Sequence, residues 1–479
     1  MTTLATGACG DGRHAPPIRW RVWAIYALAV AVAFVLFSLI ESAGARLVAP
    51  AVLAGRAGAS AKPAQPHVLL HVLLTLLTVI GVARLLGMLS RYLEQPPVIF
   101  EVLAGIMLGP SLLGTVAPGV SAFLIPPATL PLLQVLSEVG VVLFMFLVGL
   151  ELDVSLLRTR THAVVAISHA SIVVPFLLGA VLALWLYSGL AAPGVSFPVF
   201  AMFLGVAMSV TAFPVLARIL TDLNLHHTPL GMTVLSCAAV DDVTAWCLLA
   251  AAVGAAQAHG GSVIRTLVLT ASFVGVVLVL ARPALGCLAR RQERIEKLAQ
   301  RTLSLVLMCV LGSALAAEAI GIHALFGAFL LGAVIPSESR IARELAAKLE
   351  DVAVTLLLPV FFAVTGMRTQ LGLLDGAAAW AICGVLIAVA SLGKVGSSSL
   401  AARLAGLPWS EAAALGVLMN TRGLMQLVVL DAGLDLGVIS PTLFTMMVVM
   451  SLVATLATSP ILRLLIGRSP ATLRGSLPE

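Results

Sequence analysis

Apolar residues run through this chain in long blocks, where an ordinary globular chain alternates them with polar ones. Blocks of roughly 17 to 25 residues, the length an α-helix needs to cross ~30 Å of hydrocarbon, fall at 22–42, 68–88, 97–114, 130–150, 163–187, 198–220, 230–254, 263–283, 302–320, 323–336, 352–367, 376–402, 411–433 and 441–464. Fourteen spans are therefore predicted, of which 323–336 and 352–367 are short. The expected fold is all-α and polytopic, with an extra transmembrane helix and linker in 1–66, thirteen core helices in 67–465 and a short tail at 466–479. Arg19 and Arg21 ahead of the first block resemble the start of a signal peptide. That block is long for such a segment and no small-x-small cleavage site follows it directly, so a retained helix is expected.

Composition agrees: 60% of residues are hydrophobic and 10% charged, with a mean hydropathy of +1.09, against a charged fraction of ~25% in soluble domains. The net charge of +6 is informative through its placement. With the amino terminus in the cytoplasm and the spans alternating, cytoplasmic segments hold 21 Lys and Arg and outer segments 5, while Lys394 and Arg422 fall inside spans. That is the bias of inner loops toward positive charge, and it predicts both termini cytoplasmic. Nucleic acid is not implied. Cys9, Cys237, Cys247, Cys287, Cys309 and Cys383 show no metal-ligand spacing and read as small core residues.

Candidate chemistry lies inside the spans. Asp241 and Asp242 sit halfway along 230–254, where a charge costs at least ~2.5 kcal/mol even on lenient insertion scales, so such residues mark ion or proton pathways. Two spans are interrupted. Ser209, Val210, Thr211, Ala212, Phe213 and Pro214 put hydroxyls and a helix-breaking proline into 198–220, and Asn420, Thr421, Arg422 and Gly423 do the same in 411–433. Taken alone, each has a plain reading, a proline kink or a snorkelling arginine. Taken together they predict a site, because irregular backbone at that depth is tolerated only inside protein or along a wet cavity. The broken spans are sixth and thirteenth, so they run in opposite directions, the arrangement of inverted repeats whose discontinuous helices cross at a coupling-ion site.

Ser209-Val-Thr-Ala-Phe-Pro-Val-Leu-Ala-Arg218, Ala239-Val-Asp-Asp-Val-Thr-Ala-Trp246, Asn420-Thr-Arg-Gly-Leu-Met425 and Gly433-Leu-Asp-Leu-Gly-Val-Ile-Ser440 resemble the monovalent cation:proton antiporter-2 family, sodium/hydrogen exchanger-like and closest in pattern to its plant and fungal branch. The likeness covers about 68–465 and rests on several motifs in order. It implies an antiporter that trades K⁺ or Na⁺ for H⁺ by alternating access, with a dimerisation panel, a separate core domain and no cofactor. It implies that Asp242 binds proton or cation in turn, with Asp241 as its partner. Asp242 and Asp241 would hold the cation transiently, Thr211 would border it, Lys394 would pair with Asp241, and Arg422 would stabilise the second crossing helix. A homodimer in a bacterial inner membrane is expected. Gln426 departs from the Glu common in relatives, and the nucleotide-binding regulatory domain of potassium-efflux members is not expected.

The acid pair supports exchange without the family. Desolvation and a like-charged neighbour both resist a second negative charge, and carboxylate and carbonyl oxygens suit hard cations, so proton and cation compete for one site. Structural roles compete with each assignment: Asp241 and Asp242 bridging helices, Lys394 reaching toward the surface near Arg403, and Glu138, His169, Glu318 and His323 serving as packing or gating residues, with His323 the candidate pH sensor. Two other functions are weighed. An intramembrane aspartyl protease needs its acids on facing helices, which sequence neighbours do not give. A sodium-coupled organic-solute symporter of related architecture stays open.

Overall fold

A computed structural model describes residues 68–93, 95–151, 161–223, 225, 228–257, 263–292 and 300–467, with isolated positions at 32, 35–39, 42 and 43. Most of the first predicted span, its linker, both termini and the loop carrying Arg158 and Arg160 lie outside the described residues.

The chain is an all-α membrane protein. In chain order the helices are α1 (Val68–Leu93), α2 (Pro97–Leu108), α3 (Leu130–Glu151), α4 (Thr161–Leu190), the half-helices α5a (Phe197–Ser209) and α5b (Phe213–Asp222), and α6 (Pro229–Gln257). There follow α7 (263–292), α8 (Gln300–Ile320), α9 (Ala324–Ala333), α10 (340–368), α11 (Gly376–Leu404), the half-helices α12a (Trp409–Met419) and α12b (Leu424–Asp435), and α13 (Pro441–Gly467). Twelve of these segments, each broken pair counted once, are long and apolar enough to cross a membrane, and α9 is a shorter apolar helix. Twelve of the thirteen predicted core spans are therefore found, and the predicted span 323–336 is the short helix α9.

One of them has different bounds. The block 352–367 is the second half of α10, which starts at Arg340, passes through the π turn Ala353–Leu357 and ends at Arg368. Its first half is amphipathic, burying Ile341, Ala342 and Leu345 among charged residues, so an apolar-block reading sees only the second half. Ser339 caps the start, its hydroxyl accepting from the Ala342 amide.

The packing repeats. α3 packs on α9 while α2 packs on α10, α4 packs on α11, and α4 and α11 each carry a half-helix, α5a and α12a. Exchanging α1–α6 with α8–α13 maps this set of contacts onto itself, as expected of inverted repeats. The repeat extends to single residues. A Cβ on Gly366 of α10 would fall 2.8 Å from the Gly105 Cα of α2, and one on Gly149 of α3 would fall 3.0 Å from the Gly332 Cα of α9. Both crossings bring backbones together in the manner of small residues at membrane helix interfaces.

The broken segments are the most enclosed. Of the most apolar 18-residue stretch, 94% is buried in Trp409–Asp435 and 78% in Phe197–Thr221, against 17% in Val68–Ser90. Their irregular backbone is thus surrounded by protein.

Candidate functional site

The site is built where the two broken helices cross. α5a ends at Ser209 because Pro214 cannot supply the amide that would continue it, and Val210 and Ala212 are extended. α12a ends at Met419, and Asn420 to Gly423 connect it to α12b. The two breaks bond to each other: the Ala212 amide donates to the Thr421 carbonyl at 3.0 Å, and Thr211 Oγ1 lies 3.2 Å from the Met419 carbonyl.

Broken helices expose uncapped carbonyls at their C-terminal ends, which carry partial negative charge. Two buried cations cover those of α5a. Lys394 Nζ donates to the Ser209 carbonyl, and Arg422 Nη1 donates to the Val210 carbonyl at 2.9 Å and approaches that of Ala207 at 3.4 Å. Arg422 is held by Thr455 on α13, which accepts from its amide at 2.9 Å and donates to its carbonyl at 2.7 Å. Neither the surface-reaching lysine nor the snorkelling arginine describes these side chains, which are 0% and 1% exposed. The resemblance assigned Arg422 to stabilising the second crossing helix. Its guanidinium instead braces the first, because that is where the free carbonyls are.

The two aspartates of α6 differ sharply. Asp241 accepts from Ser168 at 2.5 Å, Ser171 at 2.6 Å, Thr211 at 2.8 Å and Lys394 at 3.1 Å. Ser171, Thr211 and Lys394 all meet Oδ2, and Ser168 meets Oδ1, so both oxygens have donors. Asp242 is turned ~100° round the helix from its neighbour, is 3% exposed, and its Oδ1 is buried without a hydrogen-bond partner. Asn420 Oδ1, in the second break, is likewise buried and unpartnered. Oxygen atoms without donors are what a proton or a hard cation requires.

Ser168 and Ser171 of α4 were missed by sequence reasoning. Their signal is weak, two hydroxyls three apart on one helix face, and only the fold brings that face to Asp241. Gln426 is fully buried, its Nε2 3.8 Å from Met450 Sδ and its Oε1 unpartnered. His169 Nδ1 lies 2.8 Å from the Val165 carbonyl, outside the crossing.

At one end of the bundle Glu138 and His323 line a cavity of about 40 Å³ with Gln134, Thr365, Arg368, Asp431 and Asp435. Arg368 of α10 donates to Asp431 at 3.1 Å and pairs with Asp435, both on α12b, and Thr365 donates to Asp431 at 2.6 Å. Gln134 of α3 joins Glu138 and Asp435 at 3.1 and 3.2 Å. Glu318 accepts from the Ala324 amide at 2.9 Å, and His323 holds the N-cap position of α9. The arginine-rich end is more open. A cavity of about 380 Å³ there is lined by Arg218 and Glu350 and reaches Phe213 and Leu424, the residues that follow the two breaks.

Antiparallel discontinuous helices crossing beside buried acids define a secondary carrier of small ions. Residues 79–464 match the sodium/hydrogen exchanger transmembrane family, and the chain belongs to it. It is 44% identical over 397 residues to the Na(+)/H(+) antiporter NhaS4 of Synechocystis sp., covering 82% of this chain and 97% of that one. It is 39% identical over 398 residues to cation/H(+) antiporter 17 of Arabidopsis thaliana (82% and 48%) and 34% over 383 residues to K(+)/H(+) antiporter 1 of Saccharomyces cerevisiae (78% and 44%). The chain spans about half the length of these plant and yeast relatives. The sodium proton antiporter MjNhaP1 of Methanocaldococcus jannaschii shares the fold, with a TM-score of 0.61 at 15% identity over 82% of this chain and 98% of that one.

Proposed function

We infer that this protein is a secondary antiporter exchanging a monovalent cation, Na⁺ or K⁺, for protons by alternating access. Family membership supports the activity. The observation that carries the mechanism is the asymmetry of the acids: both oxygens of Asp241 accept from donors, four in all, while Asp242 keeps a buried oxygen with none. Asp242 takes the proton or the cation in turn, and Asn420 Oδ1 and the carbonyls of the breaks are the neutral oxygens nearest in chemistry to a hydration shell. Asp241 with Lys394 anchors the crossing and completes the site's charge balance. Thr211 borders the site by linking Asp241 to the second break.

The arginine-rich end faces the cytoplasm of a bacterial inner membrane, by the same count of basic residues that set the termini there. The exchanger unit is 67–465 and the protein works as a homodimer. It is a carrier with no enzymatic step: the two acids lie on one helix, where they cannot flank a peptide bond as an aspartyl protease requires. The organic-solute symporter gains no support from the relatives above.

Proteoliposomes with a preset pH gradient test the reading. Adding Na⁺, K⁺, Li⁺ or Rb⁺ should dissipate the gradient for at least one cation and so name the substrate. A gradient indifferent to every one of them would refute antiport, and solute-dependent sodium uptake would point to the symporter.

A further inference from the structure

The end opposite the arginine-rich one holds an imidazole that the crossing does not use. His323 sits in the turn between α8 and α9, and that turn is fixed: Gly321 takes φ +91°, the Ile322 amide donates to the Ala317 carbonyl at 3.0 Å, and the Phe326 amide donates to the His323 carbonyl at 3.0 Å. The ring is thus held on a rigid backbone at the cavity of about 40 Å³ described above. Its Nδ1 is buried without a hydrogen-bond partner. Charged groups come toward it from every element packed around it: Glu318 from α8, Glu138 from α3, Arg368 from α10, and Asp431 and Asp435 from α12b. Among the described residues that line the cavity, Arg368 is the single permanent cation.

This cluster lies on a seam. α3, α9 and α10 pack on one another, whereas α12b packs chiefly on α13, α5a and α6 and meets α10 more sparsely. Polar bonds cross the seam here, from Arg368 to Asp431 and Asp435, from Thr365 to Asp431 and from Gln134 to Asp435. We propose that His323 is a regulatory proton site, distinct from the acids of the crossing: a proton taken up there locks α12b against α3 and α10, and its release lets this end open. An imidazolium donates from both ring nitrogens, and acceptors stand on both sides of the seam, Glu138 on α3 and Asp435 on α12b. Four carboxylates against one guanidinium repel one another when the end is closed, so a second positive charge favours the closed arrangement over an open one in which water screens the acids. The N-terminus of α9 opposes charge on its own N-cap residue, and the Glu318 carboxylate, bonded to the Ala324 amide at that terminus, offsets this. The Asp435 side chain is 37% exposed, which gives protons from the water at this end a way in. Acid on that side therefore shuts the end and keeps the carrier from admitting protons where they are abundant, a consequence that rests on the antiport reading.

Hydrogen–deuterium exchange over 428–440 in the full-length chain, held in phosphatidylcholine nanodiscs, tests the lock without any transport, so its failure is separable from failure of the antiport reading. Comparing His323→Gln with the wild type at one pH at a time cancels the chemical pH dependence of amide exchange. The two should exchange equally at ~pH 8, and His323→Gln should exchange about fivefold faster at ~pH 5. His323→Lys, a permanent cation, should exchange more slowly than the wild type at ~pH 8 and match it at ~pH 5. Where His323→Gln loosens the whole bundle, seen as faster exchange across α11 as well, the His323→Lys arm decides alone. A ratio of His323→Gln to wild type that is the same at both pH values, with α11 unchanged, would show a ring with a structural role only and overturn the proton site. His323→Lys matching the wild type at both pH values would overturn it too.

Discussion

Lys394 and Asp241 meet at 3.1 Å with neither side chain exposed, and the same ammonium donates to the Ser209 carbonyl at the end of α5a. The pair therefore does two things at once. It neutralises an acid inside the bilayer, and it fixes α11 and α6 to the first break. Ser168, Ser171 and Thr211 also donate to this carboxylate, while Asp242 Oδ1 is buried without a partner.

Breaking that pair should be costly, because removing one partner strands the other charge. Lys394→Ala is expected to destabilise the protein by ~3–5 kcal/mol, read as a large fall in melting temperature in detergent. Asp241→Asn/Lys394→Met removes both charges and should recover much of the loss. A double variant as unstable as Lys394→Ala would show that the α5a carbonyl, rather than the ion pair, sets the stability.

The Gly105–Gly366 and Gly149–Gly332 crossings hold the repeats together, so a methyl group there must push backbones apart. Gly366→Ala and Gly149→Ala should each cost ~1–3 kcal/mol by overpacking, whereas Gly384→Ala, which meets nothing within 4 Å, should not lower the melting temperature. Indifference at Gly366 would mean the crossing relaxes without strain.

Twelve spans, both breaks and the acid pair were legible because lipid imposes long apolar blocks and makes every polar residue within them conspicuous. The beginning of α10 was not, since a half-buried amphipathic turn carrying Arg340, Arg343 and Glu344 resembles a loop to a block-length criterion. Nor were Ser168, Ser171 and Thr455, because a hydroxyl is cheap in a membrane helix and gains its meaning only from what faces it. Arg422 was conspicuous but misdirected: the sequence shows which helix carries a side chain, and only the fold shows that it reaches the carbonyls of the other break.

Arg368 joins α10 to both Asp431 and Asp435 of α12b, closing the end opposite the arginine-rich one. Arg368→Gln should loosen that closure. A cysteine at Ser137, buried beside it, should react faster with an impermeant maleimide in the Arg368→Gln background than in the parent. Unchanged labelling would show that the ion pairs do not hold the end shut.

With Asp242 trading proton for cation and Lys394 releasing and regaining a proton besides, each cycle is expected to move more protons than cations. A net charge crossing the membrane is worth ~2.3 kcal/mol per 100 mV, so a valinomycin-clamped potential should change the exchange rate and the final gradient. Exchange indifferent to voltage would assign an electroneutral cycle.

The central claim is that Asp242, and not its hydrogen-bonded neighbour, exchanges the proton for the cation. Cation-driven proton flux should be compared in proteoliposomes of Asp242→Asn and Asp241→Asn at matched, folded protein density. Asp242→Asn keeps the volume but cannot ionise and should abolish exchange, while Asp241→Asn should retain part of it. Full activity in Asp242→Asn would contradict the account outright, and complete loss in both folded variants would contradict the division of labour between the two acids.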